Sequence, residues 1–343
     1  MTTLSSAAQA LDDRPEAVPS GVAVEVHDLE KRYGDLEAVR GVSFSVRTGE
    51  LFGFLGPNGA GKTTTIHMLC TLLEPSDGRA TVAGHDVVHA SSDVRRSIGL
   101  VFQDPTVDEY LTAEQNLRFH AEAYGMPRAE REPRMEELLR LVELWDRRKA
   151  RVRTFSGGMK RRLEIARGLL HRPKVLFLDE PTLGLDPQTR RRVWEHVHEL
   201  RRREALTIFL TTHYMDEAEH CDRIAIIDHG RIVALDTPAA LKDQVGGDVV
   251  TLTTPETEAA QESLRELWKL ESKLEGGAIT FNVRGGERFL PELVSKLPQR
   301  LESVGLRRPT LDDVFLTITG RAIRDEEAGD LDQMRSRRRR MRR

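Results

Sequence analysis

The pattern of apolar positions predicts a series of strands in the first two thirds of the chain. Val22, Val24 and Val26 recur at every second position, and residues 42–46 repeat this pattern, so each segment should form a strand with one buried face. Short continuous apolar runs are typical of strands buried on both faces of a parallel sheet. Such runs lie at residues 51–55, 98–102, 175–178 and 207–210, and residues 223–228 and 232–235 complete the predicted sheet. A turn is expected over residues 31–35.

Helical spacing and capping residues predict the helices between these strands. A helix is expected over residues 63–73, because its apolar residues fall on one face. These residues are Ile66, Leu69, Leu72 and Leu73. Thr112 and Gln115 have the spacing of a capping box, and Asp186 before Pro187 is a good helix start.

Residues 105–172 are expected to form a helical subdomain inserted into an α/β domain. From residue 112 onward the pattern is mostly helical, and no β-run interrupts it. Near its end an amphipathic helix follows the sequence Ser156-Gly157-Gly158. Its apolar face is expected to contain Met159, Leu163, Ala166 and Leu170.

After Gly246-Gly247 the pattern changes to that of a small α+β domain without a catalytic motif. We expect strands at 249–252, 279–283 and 301–306, and helices at 256–274 and 289–297. The inward residues of the first helix are expected to be Leu264, Leu267, Trp268 and Leu274. Thr310 and Asp313 are expected to cap a last helix that runs to Leu316.

Composition narrows the class of protein. Hydrophobic residues make up 39% of the 343 residues, which supports a packed core, and the net charge of −3 excludes a nucleic-acid-binding polycation. No apolar run is long enough for a transmembrane helix, and we expect no signal peptide. The two cysteines, Cys70 and Cys221, are expected to be reduced thiols of a cytosolic protein.

A glycine-rich loop between a predicted strand and a predicted helix carries the clearest chemistry. Residues 56–64 follow the pattern G-x-x-x-x-G-K-T, whose backbone N–H groups form a cradle for phosphates. The positive end of the following helix adds to this attraction. Lys62 would reach the β- and γ-phosphates, and the Thr63 hydroxyl would bind magnesium. The chain is therefore expected to bind a nucleoside triphosphate.

Polar residues at the carboxyl ends of other strands are expected to face the same ligand. Asp179 would hold magnesium, and Glu180 would orient or deprotonate a water molecule. Gln103 ends the strand at 98–102 and should face the crevice. For His213, a structural hydrogen bond and a contact with the γ-phosphate are both open. Ser156 is likewise either a plain N-cap or part of a second anion site.

In this order, the motifs resemble those of the nucleotide-binding subunit of an ATP-binding-cassette (ABC) transporter. The resemblance covers about residues 22–240 and implies a P-loop ATPase with an antiparallel N-terminal β subdomain and a helical signature subdomain. It implies that ATP and Mg²⁺ are bound, with Tyr33 stacking on adenine. The phosphates would lie on Gly56, Pro57, Asn58, Gly59, Ala60, Gly61, Lys62, Thr63 and Thr64.

The resemblance also assigns roles around the γ-phosphate. Glu180 would be the general base, His213 the γ-phosphate sensor, and Gln103 a contact of the attacking water. The magnesium contacts would be Thr63, Gln103 and Asp179, and Asp186 would cross a dimer interface. The signature that binds the nucleotide of the other protomer would be Phe155, Ser156, Gly157, Gly158 and Met159.

The signature departs from the family pattern Leu-Ser-Gly-Gly-Gln at two positions. Phe155 replaces Leu, and Met159 replaces Gln, which puts any contact from that amide in doubt. The run from Ser156 to Leu163 and the segment 309–316 resemble the daunorubicin- and doxorubicin-resistance exporters. That branch implies a homodimer on the cytoplasmic face of the membrane, attached peripherally to an integral permease of the ABC-2 type and exporting a drug or other hydrophobic compound.

The expected organisation is a disordered tail at 1–19, an ATPase domain at 20–245 with its helical subdomain at about 105–172, a regulatory or dimerisation domain at 246–320, and a charged tail at 321–343. The basic block in the last tail fits a solvated segment or a contact with anionic lipid headgroups. Nucleic acid is not an expected partner, because the block has no interleaved aromatic residues.

Two other functions stay open. One is a soluble ABC ATPase in DNA repair or translation. However, Lys62 and Asp179 are 117 positions apart with no sustained heptads or cysteine clusters between them. The other is an ABC subunit that exports a lipid or a polysaccharide. The sequence does not identify the exported compound, because the substrate path lies in the permease.

Overall fold

The computed structural model describes residues 21–320. The predicted tails at 1–19 and 321–343 lie outside this range. The helices are α1 (Lys62–Leu69), α2 (Ser91–Ser97), α3 (Ala113–Ala123), α4 (Arg128–Leu141), α5 (Gly157–Gly168), α6 (Pro187–Glu204), α7 (Met215–Ala218), α8 (Pro238–Asp243), α9 (Thr257–Trp268), α10 (Gly286–Lys296) and α11 (Leu311–Thr319). The strands are β1 (Val22–Tyr33), β2 (Leu36–Arg47), β3 (Leu51–Leu55), β4 (Asp77–Val82), β5 (His85–Asp86), β6 (Ile98–Val101), β7 (Val175–Asp179), β8 (Thr207–Thr212), β9 (Arg223–Asp228), β10 (Arg231–Asp236), β11 (Asp248–Thr253), β12 (Lys273–Glu275), β13 (Ala278–Val283) and β14 (Ser303–Arg307).

The central sheet has the order β10-β9-β3-β8-β7-β6. All neighbouring pairs are parallel except β10 and β9, which form an antiparallel edge. Every residue of β3, β7 and β8 is buried, which explains their continuous apolar character. This confirms the predicted α/β class. Strand β8 separates β3 from β7, so the phosphate-loop strand and the carboxylate strand are not adjacent.

The N-terminal region also contains an antiparallel sheet of order β2-β1-β4-β5, as predicted. The predicted turn over residues 31–35 was too long. Lys31 and Arg32 belong to β1 and pair with Val39 and Glu37 of β2, so only two residues separate the strands. The β1 side chains next to this turn are exposed or half-buried. The sequence therefore lacks the apolar alternation there from which a strand is predicted.

Helices α3, α4 and α5 and two short 3₁₀ turns (Trp145–Arg147 and Val152–Thr154) form a helical layer over residues 113–168. The capping box at Thr112 and Gln115 is confirmed. The helix predicted over 63–73 was too long, because Thr71 has a left-handed backbone conformation (φ 61°) and α1 ends at Leu69. No helix in the part of the chain that the structure describes has both the length and the apolar character needed to cross a membrane.

The C-terminal sheet has the order β12-β13-β11-β14 and encloses its own core with α9 and α10. The helix predicted over 256–274 was wrong in its last part: Lys269 is left-handed (φ 58°), and a strand follows at β12. Leu267 and Leu274 are consequently 53% and 56% exposed instead of buried.

The last helix, α11, buries its apolar face in the core of the region before residue 246 and not in the core of the C-terminal sheet. Thr310 and Asp313 form the predicted capping box at its start. Its buried residues Leu311, Val314 and Phe315 join the cluster that also contains Leu241 and the α7 residue Met215. The end of the C-terminal region is therefore attached to the element that directly follows His213 and Tyr214.

Candidate nucleotide-binding and hydrolysis site

The phosphate loop connects β3 to α1 and directs Lys62 inward. Gly61 has φ +106°, and a Cβ atom there would lie 2.6 Å from the carbonyl oxygen of Ala38, so only glycine fits. The Lys62 Nζ donates to the carbonyl oxygens of Gly56 (2.8 Å) and Pro57 (3.0 Å). It also lies 3.2 Å from Glu180 Oε1, with both side chains buried. A phosphate that reaches Lys62 has to compete with these acceptors.

Asp179 and Thr63 meet although β8 lies between their strands. The Thr63 hydroxyl donates to Asp179 Oδ1 over 3.4 Å, and the Thr211 hydroxyl of β8 donates to the same oxygen. Burial raises the pKa of Asp179 above its usual value, although the hydrogen bond from Thr211 acts in the opposite direction. Asp179 therefore lies beside the phosphate loop although β3 and β7 are not adjacent in the sheet. Thr211, on the strand between them, donates to the same carboxylate oxygen as Thr63.

Glu180 is held in an unusual backbone conformation at the end of β7. Its φ of 45° lies in the left-handed region, which is costly for a residue with a side chain. Its backbone N–H donates to the carbonyl and hydroxyl oxygens of Thr211, each over 3.1 Å. This turn separates the Glu180 side chain from that of Asp179 and directs it to Lys62.

His213, directly after β8, completes a buried cluster with Lys62 and Glu180. Its Nδ1 lies 3.3 Å from Glu180 Oε1, the oxygen that also faces Lys62. Burial raises the pKa of Glu180, but the hydrogen bond with His213 and the charge of Lys62 outweigh it, so the pKa lies below its usual value. Glu180 is therefore ionised at neutral pH, as a proton acceptor must be.

The remaining predicted contacts lie outside this cluster. Gln103 is exposed, and its carbonyl oxygen accepts a hydrogen bond from Arg161 over 2.9 Å. Tyr33 is 49% exposed near the tip of β1, with Lys31 Nζ 5.4 Å from its ring centre. An exposed aromatic ring at this position is free to stack on a planar base. The roles of Tyr33 and Gln103 stay predictions.

The signature residues surround the start of α5. The exposed Ser156 is the N-cap, because its hydroxyl accepts from the Met159 N–H over 3.3 Å. Phe155 and Gly158 are buried, whereas Gly157 is exposed. A Cβ on Gly158 would lie 2.1 Å from the Thr189 methyl carbon, so the turn packs directly on the start of α6.

Asp186 connects this surface to the loop that follows β7. Its exposed carboxylate accepts from the backbone N–H (3.0 Å) and the hydroxyl (2.6 Å) of Thr189. These hydrogen bonds confirm the predicted helix cap. The loop that contains Asp186 and the N-terminus of α5 therefore form one exposed surface.

Three buried polar residues of the site were not predicted: Arg161, Thr211 and Glu217. Glu217 accepts hydrogen bonds from the hydroxyls of Thr182 and Thr212, which joins the segment after Glu180 to the one before His213. Arg161 is 4% exposed within a run of three basic residues. In the sequence, the one signal for its burial is its position on the same face of the helix as Gly158 and Ile165, which are both buried.

Comparisons with known proteins agree on one family. The family described as "ABC transporter" matches residues 39–183. A daunorubicin resistance ATP-binding protein of Streptomyces coeruleorubidus is 41% identical over 317 residues, covering 90% of this chain and 98% of that protein. A Nod factor export ATP-binding protein of Burkholderia orbicola is 40% identical over 305 residues, covering 88% and 98%.

A solved structure adds a comparison of the fold. It is an ATP-binding cassette seen as a dimer in a post-hydrolysis state with ADP and phosphate, and it is 26% identical to this chain. The TM-score is 0.57, with 62% of this chain and 98% of the solved chain covered.

Proposed function

The chain belongs to the ATP-binding subunits of ABC transporters, and on that premise we propose that it powers the efflux of a drug, antibiotic or other hydrophobic compound. The resemblance drawn from the motifs and the predicted P-loop ABC fold are confirmed, and the chain is an ATPase. The observation that carries the proposed hydrolysis is the buried triad of Lys62, Glu180 and His213, and the name of the Streptomyces relative supports drug efflux. The triad places a cation and a proton acceptor together at the phosphate loop.

In the proposed reaction, ATP binds with its phosphates on residues 56–64 and Lys62. Glu180 takes a proton from a water molecule while the water oxygen bonds to the γ-phosphorus. The bond from that phosphorus to the bridging oxygen breaks, and ADP and phosphate are released. His213 lies on the same side of Glu180 as Lys62 and would contact the γ-phosphate.

The oxygen atoms of Thr63 and Asp179 fit a magnesium site. Mg²⁺ prefers oxygen ligands, and these two side chains meet at 3.4 Å beside the phosphate loop. Within residues 21–320, no group of three or more His, Cys, Asp or Glu side chains could hold a metal ion, so the phosphate oxygens would complete the coordination. Gln103 is the third proposed protein ligand. The ion would neutralise charge on the phosphates.

Two copies of the chain are proposed to enclose two ATP molecules. Ser156 is exposed, and its described contacts are within α5, which supports a role toward a nucleotide on another subunit. The N-terminus of α5 offers backbone N–H groups to an anion, as a helix start does. Asp186 lies on the same exposed surface and would cross the interface.

The proposed partner is an integral membrane permease of the ABC-2 type, and the chain would be attached to it peripherally on the cytoplasmic face of the membrane. The name of the Streptomyces relative supports a drug as the exported compound, whereas the Burkholderia relative is named for the export of Nod factor. The alternative cargo is a lipid or a polysaccharide. The ATPase domain would be residues 20–245, with its helical subdomain at 105–172, and residues 246–320 would regulate or dimerise it.

An efflux assay tests this proposal. Cells producing the chain with its cognate permease should accumulate less of the fluorescent anthracycline doxorubicin than cells producing the Lys62→Ala variant at equal protein levels. Equal accumulation in both strains would contradict drug export. ATP hydrolysis that is stimulated by DNA or ribosomes, but not by permease-containing vesicles, would favour the soluble repair or translation class.

A further inference from the structure

Arg161 is the α5 residue that contacts both the loop after β6 and the end of β7 in its own chain. Its guanidinium donates to the carbonyl oxygens of Phe102 (2.5 Å), Gln103 (2.9 Å) and Glu180 (3.3 Å). Two of these acceptors lie in the loop after β6, and the third lies at the end of β7. One buried side chain therefore fixes the backbone of two residues to which the reaction assigns roles.

A buried carboxylate completes this attachment. Glu164 is fully buried and lies one helical turn after Arg161, at 3.2 Å from its guanidinium. The other carboxylate oxygen accepts from the backbone N–H (2.6 Å) and the hydroxyl (3.1 Å) of Thr106. The loop over residues 102–106 is thus bound to α5 at both ends: by the carbonyl oxygens of Phe102 and Gln103 at one end and by Thr106 at the other, where the carbonyl oxygen also accepts from Arg167 over 2.9 Å.

The simpler explanation is that Arg161 only stabilises the packing of α5. Arg134, a second buried arginine of this chain, provides a direct comparison for that explanation. Arg134 is buried to the same extent (4% exposed) and donates to the Leu169 carbonyl oxygen and to Glu204. It joins α4 and α6 to the end of α5 and has no contact with residues 102–106 or 180 among those described. The two arginines share burial and chemistry, but only Arg161 has acceptors in the catalytic segments.

Arg161 lies close along α5 to the signature at the start of that helix, so its hydrogen bonds connect the signature to the loop after β6 and to Glu180. Ser156, the N-cap, is five residues before it, so a rigid helix of little more than one turn separates the signature from the guanidinium. A planar guanidinium can hold three acceptors in fixed directions, which an ammonium group cannot do. A displacement of the helix start is therefore transmitted to the backbone of Gln103 and Glu180.

We propose that Arg161 is a positioning residue that couples the signature of one subunit to Glu180 and Gln103 of the same subunit. The inference rests on the proposed two-copy site. In that site, Ser156 contacts the nucleotide held by the partner, whereas Glu180 acts on the nucleotide held by its own phosphate loop. Binding at one site thereby sets the catalytic geometry at the other, and hydrolysis depends cooperatively on ATP.

The test compares Arg161→Lys with Arg134→Lys in the complete complex with the permease. ATP hydrolysis is measured as a function of ATP concentration, together with binding of a fluorescent ATP analogue. For Arg161→Lys we expect kcat to fall by about tenfold to a hundredfold with little change in analogue affinity. The Hill coefficient should fall from about two toward one, whereas Arg134→Lys should keep it.

A second variant keeps the test informative if Arg161→Lys does not fold. Thr106→Val removes an exposed residue's hydroxyl, which donates to Glu164 and accepts from Arg167, and it should lower the Hill coefficient less, but in the same direction. Equal losses in the Arg161 and Arg134 variants, or a Hill coefficient of one in the wild type, would overturn the coupling. Absence of ATP hydrolysis in the wild type would instead contradict the proposed function itself.

Discussion

The substitution Glu180→Gln separates nucleotide binding from hydrolysis more sharply than any other single change in this site. The amide keeps the shape of the side chain and its backbone position, but it cannot accept a proton from water. Loss of a general base typically lowers turnover by about 10²–10⁴-fold. The same substitution also removes the carboxylate that lies 3.2 Å from Lys62.

The structure predicts that this variant binds ATP more tightly than the wild type. At 3.2 Å and an effective dielectric constant of about 20, the Coulomb attraction between Lys62 and Glu180 is about 5 kcal/mol. Desolvation of the two buried charges offsets most of it. We expect a net gain of about 1–2 kcal/mol for ATP, which is about fivefold to thirtyfold in affinity. The gain arises because Lys62 is released and because the carboxylate no longer repels the γ-phosphate.

Two assays measure these effects on the same protein. Titration with a fluorescent ATP analogue gives the affinity, and phosphate release gives the turnover. The control is Glu219→Gln, an exposed carboxylate that pairs with Lys242 and has no contact with the phosphate loop among the described residues. Turnover at the wild-type rate in Glu180→Gln would refute the assigned base. Weaker ATP binding would refute the competition between Glu180 and the phosphates for Lys62.

Three further predictions concern stability. Burial lowers the pKa of His120 from 6.5 to about 4, so the unfolded chain binds a proton in this window that the folded chain does not. The free energy of unfolding should therefore decrease by about 1–3 kcal/mol as the pH falls from 6.5 to 4. In urea unfolding, His120→Gln should lose less stability over the same pH range. Glu217→Ala removes the acceptor of two buried threonine hydroxyls and should lower the free energy of unfolding by about 2–4 kcal/mol, measured by urea unfolding, so an unchanged free energy would contradict the bridge. Phe315→Ala should lower the unfolding free energy of the ATPase region by about 3–5 kcal/mol, measured as earlier loss of nucleotide binding on heating, whereas Phe281→Ala in the C-terminal core should leave that loss unchanged; equal effects would contradict the packing of α11 on the ATPase region.

Features that depend on local chemistry were predictable from the sequence. The phosphate loop follows from its glycine spacing, and the strands β3 and β7 follow from continuous apolar runs. The caps at Thr112, Asp186 and Thr310 follow from short polar side chains at helix starts. In each case the residues that specify the structure are neighbours in the chain.

Features that depend on contacts between distant segments were not predictable. The order of the strands places Thr211 between Asp179 and Thr63, and nothing in the local sequence of β8 indicates this. Arg161 looks like any residue of a basic, solvated helix face until the fold brings the loop after β6 against it. The last helix was expected within the C-terminal domain, but its apolar face matches a surface of the ATPase region.

The strained backbone of Glu180 is a further feature that only the fold specifies. A left-handed glutamate is disfavoured by its own sterics and is held there by two hydrogen bonds to Thr211. Adjacent carboxylates on a regular strand would point to opposite faces of the sheet. Because the backbone turns after Asp179, the carboxylates of Asp179 and Glu180 both lie beside the phosphate loop.

Mixing two inactive variants tests the central claim, a site built from two copies of the chain, most directly. Lys62→Ala removes the phosphate-loop cation, and Ser156→Arg blocks the signature. In a dimer with one copy of each, one site carries both changes and the other carries neither. We predict that each variant alone, with the permease, fails to hydrolyse ATP and that phosphate release appears when the two are co-assembled. Activity in the co-assembled complex no greater than the sum of the separate variants would contradict the two-copy site.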